Sequence, residues 1–353
     1  MATNSGIITE VFPLNERGRA LGAVGAFVSL GAIAGPGIGG LILSNFSWSY
    51  IFWINVPVGL ITILIGEKFL PKDITKTKEK IDFPGFACIA IAIMTFFGGI
   101  FLGQESGFGS LQSYLLFIIA VIALGLFIMV ERKRKSPLIK FAIFKNKIFT
   151  LSLLSAVLIF ASNFFVNVVI PFYLQDARKL SASYAGLLMM VFPLLMVVGA
   201  PLSGYLTDKI GPGILTFGGL LLLCCTSLMY MFLDMNSPIW YYVIATAIMG
   251  LGNALFQSPN NTMVMSSVEK QDLGVAGSMN SFARNLGMVI GIALSTTILY
   301  RGMSEAYGER VTTYLANRPD IFIVGMRETF FVAFLLCVAA FILTILRFRK
   351  TTK

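Results

Sequence analysis

Arginine, asparagine and glutamine inside long apolar runs are the side chains of this 353-residue sequence that have most chemistry to offer. Asn163 and Asn167 lie four residues apart, on one face of a helix, with Phe164 beside them. Asn253, Gln257 and Asn260 keep similar spacing in a second run. In a third, Gly277, Asn280, Ser281, Arg284, Gly287 and Gly291 share a small, polar face. Such groups hydrogen-bond either a solute or one another. An arginine near the middle of an apolar run costs at least about 2.5–3.5 kcal/mol on insertion scales, so Arg284 is expected to face a cavity or pair with something. Covalent chemistry is not indicated. There is no histidine in the chain, and no catalytic triad, metal-ligand cluster or phosphate-binding glycine loop stands out. No catalytic residue, metal site or enzymatic activity is therefore expected. Glu67, Glu105, Asp176 and Asp208 fall at or beyond the ends of apolar runs, where water can reach them. Cys88, Cys224, Cys225 and Cys337 sit inside runs without ligand spacing and read as small apolar residues.

The elements that must hold these groups are membrane helices. Hydrophobic residues make up 56% of the chain, charged residues 12%, and the mean hydropathy is +0.82, whereas soluble domains are about 25% charged. Ten runs are each long enough to cross about 30 Å of hydrocarbon: residues 18–43, 50–70, 83–102, 114–130, 148–174, 184–206, 214–233, 239–257, 275–300 and 330–346. In the first, Gly31, Gly35 and Gly39 recur every fourth residue and offer a stripe that another backbone can approach closely. Pro36 removes a backbone donor there and should bend the helix. In water each interior glycine would cost about 0.8–1 kcal/mol relative to alanine; in a bilayer unpaired backbone is costlier still, so the helix persists. Trp48 and Trp53 suit an interfacial belt.

The net charge of +10 would suggest nucleic-acid binding in a soluble protein. Here the basic residues cluster between apolar runs, and no nucleic-acid partner is expected. The segments before the first run and after every second one hold 20 of the 27 Lys and Arg residues, and the opposite segments hold six. By the positive-inside rule the first set is cytoplasmic, with both termini. The expected location is the cytoplasmic membrane, with lipid around a multi-pass chain. Residues 1–14 show no cleavable secretory leader.

Three stretches now carry a family resemblance. Arg17-Gly18-Arg19-Ala20-Leu21-Gly22, the spaced Gly31, Gly35, Pro36, Gly39 and Gly40, and then Trp48, Ile51, Phe52, Ile54, Asn55, Pro57 and Gly59 resemble the antiporter-motif helix and its successor. These belong to fourteen-helix drug:proton antiporters of the major facilitator superfamily, and the motif is a mark of exporters. Gly204, Asp208, Lys209 and Gly211 resemble the cytoplasmic loop motif of that superfamily, repeated in its second half, which implies a gate between two bundles. Arg284, within Asn280-Ser281-Phe282-Ala283-Arg284-Asn285-Leu286-Gly287, fits the penultimate helix of the branch.

The resemblance implies an all-α polytopic membrane protein with a partial major facilitator fold of about ten transmembrane helices. In the family the antiporter motif lies on the fifth helix and here on the first. The expectation is therefore an N-terminally truncated chain lacking the first three to four helices. Residues 1–71 would be the remainder of the N-terminal bundle, 72–146 a cytoplasmic loop with two inserted helices, and 147–353 a complete C-terminal bundle of six helices. The implied activity is proton-coupled efflux of amphipathic, often cationic compounds, powered by the proton gradient with no cofactor and impaired by the truncation. Two alternatives are a non-transporting membrane piece that packs with the missing helices or another chain, and a small-solute uptake carrier. The substrate path would run past Asn163, Phe164, Asn167, Asn253, Gln257, Asn280 and Arg284.

Overall fold

The computed structural model describes residues 7–8, 11–13, 16–47, 49–69, 82–106, 110–134, 141–315 and 318–348. For residues 32, 34–41, 43–45, 104–106, 182–183 and 271 it describes the backbone alone. Most of the described residues are helical, with no strand among them. The helices are α1 (Arg17–Asn45), α2 (Tyr50–Trp53 continuing as Asn55–Phe69), α3 (Phe83–Ser106), α4 (Leu111–Lys133) and α5 (Lys147–Phe172). They continue with α6 (Ala182–Met189, then Val191–Ile210), α7 (Pro212–Met231), α8 (Ile239–Ser266), α9 (Leu273–Tyr307) and α10 (Pro319–Phe348). Among the described residues nine helices, α2 to α10, are long and apolar enough to cross a membrane. Helix α1 is 29 residues long and runs unbroken through Pro36.

Local chemistry sets the helix ends. The Asn146 side chain accepts from the Ile148 N–H at 3.0 Å at the start of α5, and its amide donates to the Ser267 carbonyl at 2.7 Å, tying α5 to the end of α8. Ser181 caps α6 through the Tyr184 N–H. Gly211, at φ +85°, makes the turn between α6 and α7, with Pro212 at the first position of α7. Pro171 lies near the end of α5, and the following turn, Tyr173–Ala177, widens to a π-helix. Lys179, at φ 56°, closes that turn in the left-handed region.

Helices α5 to α10 pack around one core, in which Phe165, Val169, Tyr173, Tyr230 and Phe330 are fully buried. The Tyr230 ring stacks on Phe330 at 5.1 Å, and its hydroxyl meets the Thr246 hydroxyl at 2.9 Å. Glycine brings several pairs close. A Cβ at Gly287 of α9 would stand 2.5 Å from the Val157 carbonyl oxygen of α5, and one at Gly219 of α7 would stand 2.7 Å from the Gly252 carbonyl oxygen of α8. Helices α3 and α4 pack mainly on each other, with Phe96 against Phe117 at 6.0 Å and Arg134 paired to Asp82 at 3.4 Å. Helix α2 has no buried residue, and Trp53 on it is exposed. Trp48 lies outside the described residues.

Three expectations change. Gly31 has no heavy atom within 4 Å of where its Cβ would stand. Among the glycines described on α1, those that pack closely on a neighbour lie about two and a half to three and a half turns earlier, at Gly22 and Gly18, because that is where the small residues Ala200 and Gly204 of α6 meet it. Gly204, Asp208 and Lys209 are helical rather than in a loop: α6 continues to Ile210, and only Gly211 separates it from α7. At the far end α10 starts at Pro319, so Arg327 and Glu328 are inside the helix instead of before it.

Candidate functional site

Helix α1 starts without a cap of its own, since Glu16 makes no side-chain cap bond. The first N–H groups of a helix need acceptors, and a carboxylate also suits the positive end of the helix dipole. Asp208 of α6 supplies both. Its Oδ1 accepts from the Gly18 N–H and its Oδ2 from the Arg19 N–H, each at 2.9 Å. Residues 190 positions apart thus form a capping pair. Gly18 allows it: a Cβ there would lie 2.6 Å from both Asp208 Oδ1 and the Gly204 carbonyl oxygen. One turn on, a Cβ at Gly22 would lie 2.5 Å from the Ala200 carbonyl oxygen. The Ser258 hydroxyl of α8 donates to the Gly18 carbonyl at 3.3 Å and joins a third helix to the contact. Lys209 lies over the Tyr205 ring at 4.5 Å, away from the cap.

Beyond this latch, further into the helices, lies a cavity of about 60 Å³, room for a few water-sized groups. One wall is apolar and comes from α1: Leu21, Val24, Gly25 and Val28. The opposite wall is polar, with Gln257, Ser258 and Asn261 from α8 and Asn280, Ser281 and Arg284 from α9. Phe160 of α5 and Ala200 of α6 complete it. The Arg284 guanidinium stands over the Phe160 ring at 5.9 Å, within the range of a cation–π contact. The Asn280 amide donates to Asn261 Oδ1 at 2.9 Å, which fixes both side chains across the α8–α9 boundary. At 1.5 Å per residue these groups stand roughly 10–20 Å along their helices from the latch end.

The polar residues singled out within the apolar runs separate into three sets. Gln257, Asn280 and Arg284 meet at the cavity. Asn163 and Asn253 do not: they are buried and bond to each other, Asn163 Nδ2 to Asn253 Oδ1 at 2.6 Å and Asn253 Nδ2 to Asn163 Oδ1 at 3.1 Å. Asn167 donates back to the Asn163 carbonyl at 3.1 Å, and Phe164 is half-buried. Asn260 belongs to another polar group, bonding the Ser152 carbonyl at 3.3 Å, where Arg347 also donates to the Ser152 hydroxyl at 2.8 Å. Gly287 and Gly291 face α5 and not the cavity. Gly35, Pro36, Gly39 and Gly40 lie where the backbone alone is described.

Residue-by-residue reading of the sequence missed Phe160, Ser258 and Asn261. Asn260 and Asn261 are adjacent in sequence, but consecutive helical residues point about 100° apart, so one enters the Ser152 group and the other the cavity. No carboxylate lines the cavity among the described residues, and no group of three His, Cys, Asp or Glu side chains able to hold a metal occurs among them.

Curated relatives share this chain's sequence over most of its length. The riboflavin transporter RibZ of Clostridioides difficile is 32% identical over all of this chain and 75% of its own length. The uncharacterized transporter YebQ of Escherichia coli is 33% identical over 85% of this chain and 65% of its own length. The lincomycin resistance protein LmrB of Listeria monocytogenes is 28% identical over 90% of this chain and 69% of its own length. The Major Facilitator Superfamily model matches residues 1–292 and again 152–353. An all-helical polytopic chain, a cavity between packed helices and these matches lead to one conclusion: the chain belongs to the Major Facilitator Superfamily of membrane transporters.

Proposed function

We propose that this chain takes part in export of amphipathic organic compounds across the cytoplasmic membrane by alternating access, in the manner of the fourteen-helix drug:proton antiporters. The observation that carries the reading is a cavity between α1, α5, α6, α8 and α9, with the Asp208 cap joining α1 to α6 near it. Alternating access needs a site between two bodies and a contact that opens at one side while the other closes. In this reading residues 1–71 belong to one body, 147–353 to the other, and 72–146 bring a loop and two inserted helices. Asp208 then locks the cytoplasmic side, and both termini face the cytoplasm. The exporter-type motif around Gly31 to Gly40 and the resistance protein LmrB among the relatives favour export over uptake. RibZ, named for riboflavin, leaves the substrate open between drugs and metabolites. The proton as coupling ion rests on the resemblance alone, because no carboxylate is among the described residues of the cavity wall.

The test is efflux of a loaded fluorescent dye from cells that express the chain. Efflux should stop on adding an uncoupler, and Asp208→Ala should slow it severalfold. Dye retention equal to that of empty cells would sink the reading for the chain by itself. A second reading, a membrane piece that works only when packed with further helices, is favoured by α2, which buries no residue, and by Phe27 of α1, which is 74% exposed. Efflux regained only on co-expression with additional family helices would select it.

A further inference from the structure

A second pocket, of about 350 Å³, lies beside the latch, between the start of α5, the α6–α7 turn and the end of α8. Sites that hold small organic molecules run from about 300 to 1,000 Å³. We infer that this pocket binds organic ammonium ions and that an ion seated there loosens the Asp208 latch. The inference goes beyond the transport reading, because binding here does not require that the chain transports. The wall is a surface of acceptors. Asp208 is the one charged residue in its described lining. Each carboxylate oxygen takes one N–H, from Gly18 and from Arg19, which uses two of about four lone-pair sites. No ion pair holds Asp208 among the described residues, and the neighbouring Lys209 lies over the Tyr205 ring instead. Three hydroxyls extend the surface. Thr207 donates to the Ser203 carbonyl at 2.7 Å, Thr262 to the Ser258 carbonyl at 3.1 Å and Ser267 to the Val264 carbonyl at 2.8 Å. With their protons committed inside their own helices, these groups have oxygen lone pairs left to offer. The residues at the helix starts bring no backbone donor: the Ile148 N–H goes to Asn146 Oδ1 at 3.0 Å, and Pro212 has none. A protonated primary amine, with three donors and a positive charge, complements such a wall, and charge-assisted bonds of this kind are the stronger ones. An anion meets acceptors and a like charge. Ile148, Pro212 and Met263 give the body of the ligand an apolar side. The ligand class is thus a primary amine on a compact apolar or aromatic body.

Occupancy and latch draw on the same carboxylate. The latch sets Asp208 against the positive end of α1. An ammonium ion brought to the same oxygens is repelled by that end and competes with the Gly18 and Arg19 N–H groups. Gly18 is held from both sides, its N–H by Asp208 and its carbonyl by Ser258. Release at Asp208 leaves that residue only the longer bond, at 3.3 Å. Such coupling is reciprocal, so a change that loosens the latch and spares the carboxylate strengthens amine binding.

The experiment measures binding of tritiated tryptamine to the full chain in lipid nanodiscs. Unlabelled tryptamine, its neutral N-acetyl derivative and indole-3-propionate compete, three molecules of similar shape and different charge. Tryptamine should bind tightest, with N-acetyltryptamine weaker by about tenfold or more and indole-3-propionate weaker still. Asp208→Asn should lower tryptamine affinity by about tenfold or more. Ile148→Trp, which fills the pocket from α5 and leaves the latch groups in place, should lower it as well. Gly22→Val, which pushes α1 off α6, should raise it severalfold. A single cysteine at Ser258, in a background without the native cysteines, reads the latch. It should react faster with a hydrophilic maleimide when tryptamine is present, and at an unchanged rate with the N-acetyl compound. Equal or tighter binding of the neutral or anionic analogue, no saturable tryptamine binding, or affinity unchanged in both Asp208→Asn and Ile148→Trp would overturn the inference. So would bound tryptamine that leaves the labelling rate as it was. The efflux assay judges the transport reading independently of all these outcomes. A monodisperse size-exclusion profile for each variant separates lost binding from lost folding, and the three competitors on the natural chain decide the ligand class even where a variant does not fold.

Discussion

Asp208 does at a distance what a helix normally asks of its own N-cap residue. Side chains at that position typically contribute about 0.5–2 kcal/mol, and here the whole contribution holds α1 against α6. Asp208→Asn keeps one oxygen and should retain part of the contact; Asp208→Ala should abolish it. A single cysteine at Ser258, which bonds the Gly18 carbonyl beneath the latch, reports the result in a background without the native cysteines. Its labelling by a hydrophilic maleimide should be faster in Asp208→Ala than in Asp208→Asn, and slowest in the parent. The Asn163–Asn253 pair makes a different prediction. Removing one partner leaves the other buried and unsatisfied, at a cost of about 1–3 kcal/mol. Asn163→Ala should therefore lower the thermal midpoint in detergent more than Asn163→Leu combined with Asn253→Leu. Lys179 gives a third test at this scale, because its φ of 56° is adverse to a side chain and suits glycine. Lys179→Gly should raise the midpoint, by about 1 kcal/mol of stability.

At the scale of elements, small residues decide which helices touch. A Cβ at Gly22 would meet the Ala200 carbonyl oxygen at 2.5 Å, whereas one at Gly31 would meet nothing within 4 Å. Gly22→Val should push α1 off α6 and raise Ser258→Cys labelling, while Gly31→Val should leave it at the parent rate. Equal effects would mean that the contact is not set by glycine. The existence of the helices was legible from hydropathy: each of the ten apolar runs corresponds to a helix in the described residues. Their ends were less so. Helix α6 goes on through Asp208 and α10 begins before Arg327, because polar residues extend a helix readily once its end passes the hydrocarbon. The glycine stripe was legible as a surface another helix could approach, but at Gly31 no neighbour takes it up, and close approach occurs at Gly18 and Gly22 instead. A helix with several small faces shows which ones could be approached, and only the neighbour's own small residues decide which one is.

The whole molecule is a tightly joined set, α5 to α10, with α1 latched to its edge through α6 and α8, and a separate pair, α3 and α4. The pair meets the remainder chiefly through α9, and its polar closure, Arg134 with Asp82, is internal. Excising residues 72–134 should therefore leave the α5–α10 core folded, with an unfolding midpoint in detergent within a few degrees of the parent. Collapse of the core would show that the pair supports it. Composition and the spacing of apolar runs by themselves determined the solvent of this chain and its helical class, since these follow from the length and polarity of each segment taken singly, and the family resemblance was carried by its short glycine, proline and charged-residue motifs. Which of its polar residues face a cavity was decided by the tertiary structure. Asn253 and Gln257 share one helix and similar chemistry, yet one is tied to Asn163 and the other borders open space beside Arg284. A hydrogen-bonding side chain takes whatever partner the packing of neighbouring helices brings within about 3 Å, and that partner is fixed by residues 90 or more positions away.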